Sequence, residues 1–548
     1  MTKDENEEDW LQYANAGFGS TDYSLWDEGA NEQTVETNVL PEQLETGDEE
    51  IPSAPNPGGI KHLVRIGSCE TCLGRLSGKI RHGQEMKACG TELLKGVLEH
   101  DTELSAQRDT IEMCPFCEDL FEEIELLTSL IDESCQPFEF QRLQLGIKMP
   151  KDQIEQEDYL RKRFGAGGSP AIKQAIVERI SKNLIANKPS IKIVSEKPEI
   201  MALIDVLTLN VELDIRSHYL YGRYRKLERQ IPQTRWPCRV CKERGCEKCN
   251  GTGQQYPHSV QSLIGDPLIE IYDSTEHAFH GMGREDIDVR CLGRGRPFVI
   301  ELKNPKKRTY DLDLIEKIIN EKAQKAIEVN SIRLSNRNEV VRIKDTPAEK
   351  SYAIRFLISE LEASEYEVLT KKLDPPKSSG RGRRRQQKRP APKKPMHTLE
   401  SLQDLKKDML VDICVKQGLS KTGTKAVLIE RILSPKEKIF LPLPDLDQIK
   451  DIMANFSGQT LEQRTPKRVA HRRADLIRKK KVIETHDFHV KLNESKQIEG
   501  QMSLRCESGT YVKEAVHGDG GFTQPSIASL LKAKCEVIWL DVAEIHSD

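Results

Sequence analysis

Two groups of residues in this chain carry types and spacings that could do chemistry. The first is the run Gly283-Arg284-Glu285-Asp286-Ile287-Asp288-Val289-Arg290, which crowds five charged side chains into seven positions. A carboxylate beside arginines is held ionised and aimed, as a nucleophile must be. On spacing alone, however, a salt-bridged surface hairpin is the plainer reading, because charged clusters are often merely structural. The second group is cysteine. Eight of the fourteen cysteines form four CxxC pairs: Cys69/Cys72, Cys114/Cys117, Cys238/Cys241 and Cys246/Cys249. Four thiolates satisfy one tetrahedral zinc and leave no open position, so two structural zinc sites are expected, one from the first two pairs and one from the last two. Cys89 and Cys135 fall outside the pattern, and no organic cofactor is called for.

The elements that must position these groups are read from periodicity. Around the charged run the sequence predicts a loop, a strand Val289–Leu292, a glycine turn 293–297 and a second strand Phe298–Leu302. Upstream, Ile60–Ile66 reads as a strand, Leu120–Ser134 and Ile172–Ile185 as helices, and Ile191–Val194, Leu203–Ile215 and Tyr219–Leu227 as strands. The last of these interleaves Tyr221 and Tyr224 with basic residues up to Arg229, which suits either base stacking on an RNA surface or tyrosines on a buried face. Downstream come a helix Leu312–Ala326, a strand Ala353–Ser359 and a closing strand Cys535–Val542.

Charge divides the chain unevenly. The net charge of -4 conceals an acidic start: residues 1–50 hold fifteen Asp and Glu against one Lys, leaving about +10 on the remainder. A basic body suggests a polyanionic partner. No stretch of about eighteen apolar residues is present and the first residues lack a basic, apolar leader, so neither a membrane span nor a secretory signal is expected. Thiols in such a chain point to metal ligation in a cytoplasmic setting.

These shifts suggest an acidic tail at 1–58, a zinc-binding region at 59–150, an α/β module at 151–235, a zinc knuckle with further α/β structure at 236–370, and a basic linker at 371–398. Residues 399–433 read as two short helices with stripes Leu402, Leu405, Leu410, Ile413 and Leu428, Ile429, Ile432, joined through a Lys- and Gly-rich turn. This is similar to the SAP domain, a small nucleic-acid-binding helical module. The chain returns to α/β patterning over 434–548.

Four pieces in order resemble one family: Cys69 to Arg75 with its distant Cys114-Pro-Phe-Cys117; Gln233 to Cys238; Gly283 to Pro305; and Gln463 to Asp475 with Gly509 to Asp519. Together they resemble the archaeal tRNA pseudouridine(54/55) synthases, which carry an N-terminal THUMP-type module. The resemblance implies an α/β (α+β) fold, with a catalytic domain on a mostly antiparallel sheet, an N-terminal zinc/THUMP-like region with the THUMP-like module at 151–235, and the SAP-like insertion looped out. It implies isomerisation of uridine 54 and/or 55 in the T arm, with Asp286 as the catalytic residue and Asp288 as the second choice. Tyr352, in Lys350-Ser351-Tyr352, matches the family tyrosine that packs on uracil. Lys513, in Gly509-Thr510-Tyr511-Val512-Lys513, stands where a related synthase has arginine and is expected to pair with Asp286. Arg284, Arg290, Arg464, Arg468, Arg472, Arg473, Tyr352 and Tyr511 are the expected tRNA contacts, with further nucleic acid possible through 371–433. A rival from another class is a non-catalytic zinc-containing RNA-binding or chaperone protein on the same scaffold; a weaker one is a DNA-associated protein led by the SAP-like module.

Overall fold

The computed structural model describes residues 57–77, 85–108, 111–163, 166, 169–373, 402–416, 419–433, 439–470, 473–494 and 497–547. Nearly all of the acidic tail, the basic linker from residue 374 onward, and His471 and Arg472 lie outside the described residues. The chain divides into two compact units: one holds residues up to 224 with 231–283 and 297–344, the other 225–230, 284–296 and 345–548.

The first unit opens on a helix, Pro57–Arg65, where a strand was expected. Ile60, Leu63 and Val64 are all buried and lie at helical spacing, and Pro57 stands at the first helical position, where its missing N–H costs nothing. Strands β1 (Arg142–Lys148), β2 (Lys192–Ile193), β3 (Ile200–Asp205) and β4 (Asn210–Ile215) form a sheet in the order β2-β1-β3-β4. β1 is parallel to β2 and β3, and β3 is antiparallel to β4. The single strand expected over 203–215 is thus a hairpin, broken by turn residues 206–209, where Leu209 adopts φ +55°. Helices Ile124–Cys135 and Ile172–Asn187 share one core with this sheet, through Leu127 and Ile131 of the first and Ile172, Ile176, Ile180 and Leu184 of the second.

The unit also contains β5 (His218–Lys226), β6 (Glu276–Gly281), β7 (Arg290–Lys303) and β8 (Ile327–Leu334), with β5 and β7 running on along the chain into the second unit. Tyr224 is fully buried against Phe279 and Phe298, and Tyr221 lies beneath the Arg333 guanidinium at 4.0 Å. The interleaved tyrosines therefore belong to the core and are not an open stacking surface. β7 corrects a second expectation: the hairpin is one continuous strand. Gly293 and Gly295, at φ +59° and +86°, bend it without reversing it.

The second unit carries β9 (Glu349–Ser359), β10 (Thr460–Arg464), β11 (Ile477–Leu492), β12 (Ile498–Cys506), β13 (Thr523–Gln524) and β14 (Lys534–His546). Its order is β13-β10-β11-β12-β9-β14, followed by the first residues of β7. Every pairing among the six is antiparallel; only β14 with β7 is parallel. Strict alternation along β9 buries Lys350, Tyr352, Ile354, Phe356 and Ile358 on one face. The fold is of the expected mixed α/β class, and the sheet of the second unit is mostly antiparallel, as expected. Helices Lys407–Lys416 and Lys425–Leu433 form their own small core from Leu402, Leu410, Cys414, Leu428 and Ile429.

Candidate active site

Asp286 and Asp288 lie in a loop between β6 and β7, not on a strand face. That loop is tied by its backbone. Lys226 Nζ donates to the carbonyls of Asp286 and Ile287 at 3.2 and 3.1 Å, and Arg229 Nη1 donates to Asp288 O at 2.7 Å. Glu285, fully buried, pairs with buried Arg296 at 2.9 Å. Arg290 forks onto the buried Asp541 carboxylate, with Nη2 at 2.6 Å from Oδ2. With both neighbours of the loop anchored, the two aspartate side chains are left half-buried and aimed outward from a fixed backbone.

Each carboxylate then meets a cation. Arg468, from the short turn that follows β10, places Nη1 at 3.0 and 2.8 Å from the two oxygens of Asp286. Its other edge is clamped by Glu514, with Nε at 2.6 Å and Nη2 at 3.3 Å. Lys513, at the start of helix Val512–His517, places Nζ at 2.8 and 2.7 Å from Asp288 and 3.6 Å from Asp286. The result is a row of alternating charge: Glu514, Arg468, Asp286, Lys513, Asp288. Burial opposes the charge on Asp288, but the hydrogen bond and charge of Lys513 outweigh it and hold that carboxyl below its usual range. Burial likewise works against Arg468, and Glu514 with Asp286 more than reverses it, so the guanidinium stays charged.

The expected pairing of Lys513 is thereby altered. Its closest carboxylate is Asp288, while Asp286 receives Arg468, a residue the sequence reading had placed on tRNA phosphates. Glu514 and Gln463 went unassigned there. Gln463 is fully buried and holds the Tyr511 backbone through both ends of its amide, at 2.9 Å each, which fixes the turn that delivers Lys513. The sequence showed Glu514 only as Lys513's neighbour; nothing local links it to position 468.

Tyr352 sits on β9 with little exposure, between Leu504 of β12 and Val542 of β14. Burial pushes its phenol well up, so the hydroxyl stays protonated. The charge of Arg296, which pairs with Glu285 beside Asp286, partly offsets that rise. Lys350, on the same face, is pushed down to about 8 by burial and by the charges of Arg296 and Lys480. Among the remaining expected contacts, Arg464 grips Asp475 at 2.8 and 2.5 Å, Arg284 and Arg473 are exposed, and Tyr511 is half-buried.

Both cysteine sets converge. Cys69, Cys72, Cys114 and Cys117 have all four sulfurs within 4.8 Å of one another, and so do Cys238, Cys241, Cys246 and Cys249. Four sulfurs about 2.3 Å from one zinc lie about 3.8 Å apart. The observed separations are 3.6 Å for Cys69–Cys117, 3.9 Å for Cys238–Cys246 and 3.7 Å for Cys241–Cys249. Backbone amides donate to the sulfurs, as from Cys69 N to Cys114 at 3.3 Å and from Gly253 N to Cys249 at 3.3 Å. Each set can hold one metal ion, and none of the described helices is long and apolar enough to cross a membrane.

The chain is similar to known proteins over most of its length. A family described as Pus10, C-terminal matches residues 219–419 and 438–546, including every described residue of the charge row. The chain is 30% identical over 482 residues to the tRNA pseudouridine synthase Pus10 of Methanothermobacter marburgensis, covering 87% of this chain and 94% of that protein. It is 29% identical to the protein of the same name from Methanocaldococcus jannaschii, over 89% of this chain and 93% of that one. A third, from Methanothrix thermoacetophila, is 28% identical over 88% and 93%. With more than half its length matched by the family and nearly all of it aligned to these relatives, the chain belongs to the Pus10 family of tRNA pseudouridine synthases.

Proposed function

We propose that this protein isomerises uridine 54 and/or 55 in the T arm of tRNA to pseudouridine, with Asp286 as the catalytic carboxylate. The observation that carries the reading is the placement of Asp286 between Arg468 at 2.8 Å and Lys513 at 3.6 Å, on a loop whose backbone is pinned by Lys226. A carboxylate held by two cations on a fixed backbone is aimed to act on the nucleoside. The bond from uracil N1 to C1′ breaks, the base turns, and C5 bonds to C1′. C5 gives up a proton and N1 gains one, so atoms and charge balance without any added cofactor.

A target uridine inside a folded T arm must be flipped out to reach the aspartate. In this reading Tyr352 is the wall against which uracil packs, and its protonated phenol supports packing over proton abstraction. Arg284 and Arg473, both exposed, contact the RNA together with Arg472 and Tyr511. Each four-cysteine set holds one zinc. Residues 59–150 are the zinc-binding region, 151–235 a THUMP-like RNA-binding module, and 236–370 with 434–548 the catalytic domain, interrupted by the SAP-like insertion. The protein works in the cytoplasm.

Pseudouridine mapping on an unmodified tRNA transcript tests this directly. Wild type should form pseudouridine at 54 or 55, and Asp286→Asn should form none while still binding tRNA. Tight binding without product in wild type would favour the non-catalytic RNA-binding scaffold. Product from Asp286→Asn but not from Asp288→Asn would move the catalytic role two residues along.

A further inference from the structure

Cations around the aspartate loop are almost all answered by an anion or a carbonyl. Arg468 has Glu514 and Asp286, Lys513 has Asp288, Arg296 has Glu285, Arg290 has Asp541, and Lys226 has two backbone carbonyls. Among the described residues, the ammonium of Lys480 has no such partner. It lies on β11 directly opposite Leu461 of β10 and two residues before Val482; both of those side chains are fully buried. Alternation therefore puts Lys480 on the buried face of the sheet, with Lys479 and Lys481 on the other. Val482 pairs with Cys506, and Cys506 pairs with Lys350, so Lys350 stands on that same face two strands away.

The end of the Lys480 side chain rests on the turn that leads to Lys513. A Cβ placed on Gly509, at φ +78°, would lie 3.7 Å from both Cε and Nζ of Lys480. Among the described residues no carboxylate pairs with Lys480 or with Lys350, whose only described polar contact is Ala348 O at 3.1 Å. Burial holds Lys350 down, and the charges of Arg296 and then Lys480 add to it. Two lysines on one face of the sheet with no carboxylate paired to either are unfavourable in the free protein and become favourable when an anion binds beside them.

We infer that Lys480, with Lys350 behind it, forms a binding site for one backbone phosphodiester of the bound RNA, beside the Gly509–Lys513 turn. This rests on the proposed function for the identity of the RNA, but not for the site itself. A phosphate held there fixes the strand on one side of the flipped nucleotide, while Asp286 meets the sugar and base. Lysine suits this role because a single ammonium matches a phosphate oxygen as a point charge.

Binding of an unmodified tRNA transcript to the full chain, measured over a range of salt concentrations, tests the site. Lys480→Gln should weaken binding about tenfold and reduce the slope of log affinity against log salt by about one, as expected for the loss of one phosphate contact. Lys481→Gln, exposed on the opposite face, should leave the slope unchanged. An unchanged slope and affinity in Lys480→Gln would overturn the inference. Should that variant fold poorly, amine-reactive footprinting of wild type decides instead: tRNA should protect Lys480 from modification, and an unprotected Lys480 would refute the site. Pseudouridine formation by wild type is scored separately. Its absence would remove the enzymatic reading while leaving the phosphate contact to stand or fall on salt slope and protection.

Discussion

Arg468 joins Asp286 to Glu514. One guanidinium nitrogen reaches both oxygens of the aspartate, and the opposite edge is held by a glutamate that is 1% exposed. Because both ends are fixed, the arginine works as a strut that aims Asp286.

Replacing that strut should therefore cost rate more than affinity. Arg468→Ala should lower the single-turnover rate by roughly 10²–10³, the usual effect of losing one aimed polar group. Arg468→Lys should recover little, since an ammonium cannot fork onto Glu514 and reach Asp286 together. Glu514→Gln should lower kcat with KM nearly unchanged. A weakened KM with full rate in these variants would instead place Arg468 on tRNA phosphates.

Lys350 makes stability depend on alkaline pH. Burial lowers its ammonium to about 8. Below that pH the group is charged in both folded and unfolded chains, and the desolvation cost is fully present, on the order of 3 kcal/mol. Between about pH 8 and 10.4 the folded chain has released a proton that the unfolded chain still holds, so this residue's contribution rises with pH. Lys350→Met should raise stability at pH 7 and flatten that rise, as read from urea unfolding at pH 7 and 10. A destabilised Lys350→Met at pH 7 would contradict the burial argument.

Metal analysis should find about two zinc ions per chain, one for each four-cysteine set. Cys117→Ser should lower that to about one and destabilise the region in which Arg75 donates to Cys72 Sγ and pairs with buried Glu157. Cys249→Ser should also lose one ion. A stoichiometry near zero in protein purified without chelator would refute both sites.

Deleting 399–433 should raise the KM for tRNA more than it lowers kcat, because the two helices bury their apolar side chains in a core of their own. Full inactivity of a folded deletion variant, checked by circular dichroism and single-turnover kinetics, would contradict this.

Much of the molecule was legible from local pattern. Both cysteine sets follow from spacing alone, because a CxxC knuckle places two thiolates within reach of one metal whatever surrounds it. The alternation along β9 and the apolar stripes of Ile172–Asn187 likewise state which face is buried. Local pattern misled where one signal serves two conformations. Gly293 and Gly295 read as a turn, yet positive φ also permits a bend within a strand, and Arg290–Cys291 pair with β14 while Phe298–Lys303 pair with β6. Ile60, Leu63 and Val64 fit a strand or a helix, and packing in the core chose the helix.

The sequence by itself determined which side chains are available at the site: Asp286, Asp288, Tyr352, Lys513 and Arg468. Tertiary structure decided who pairs with whom. Arg468 and Asp286 are 182 residues apart, and Lys513 and Asp288 are 225 apart. Charge pairing depends on distances of a few ångströms, whereas spacing along the chain reports only on contacts within one element. That is why Arg468 read as a tRNA ligand, and why Lys513, expected to pair with Asp286 and found 3.6 Å from it, was not foreseen to sit closer still to Asp288.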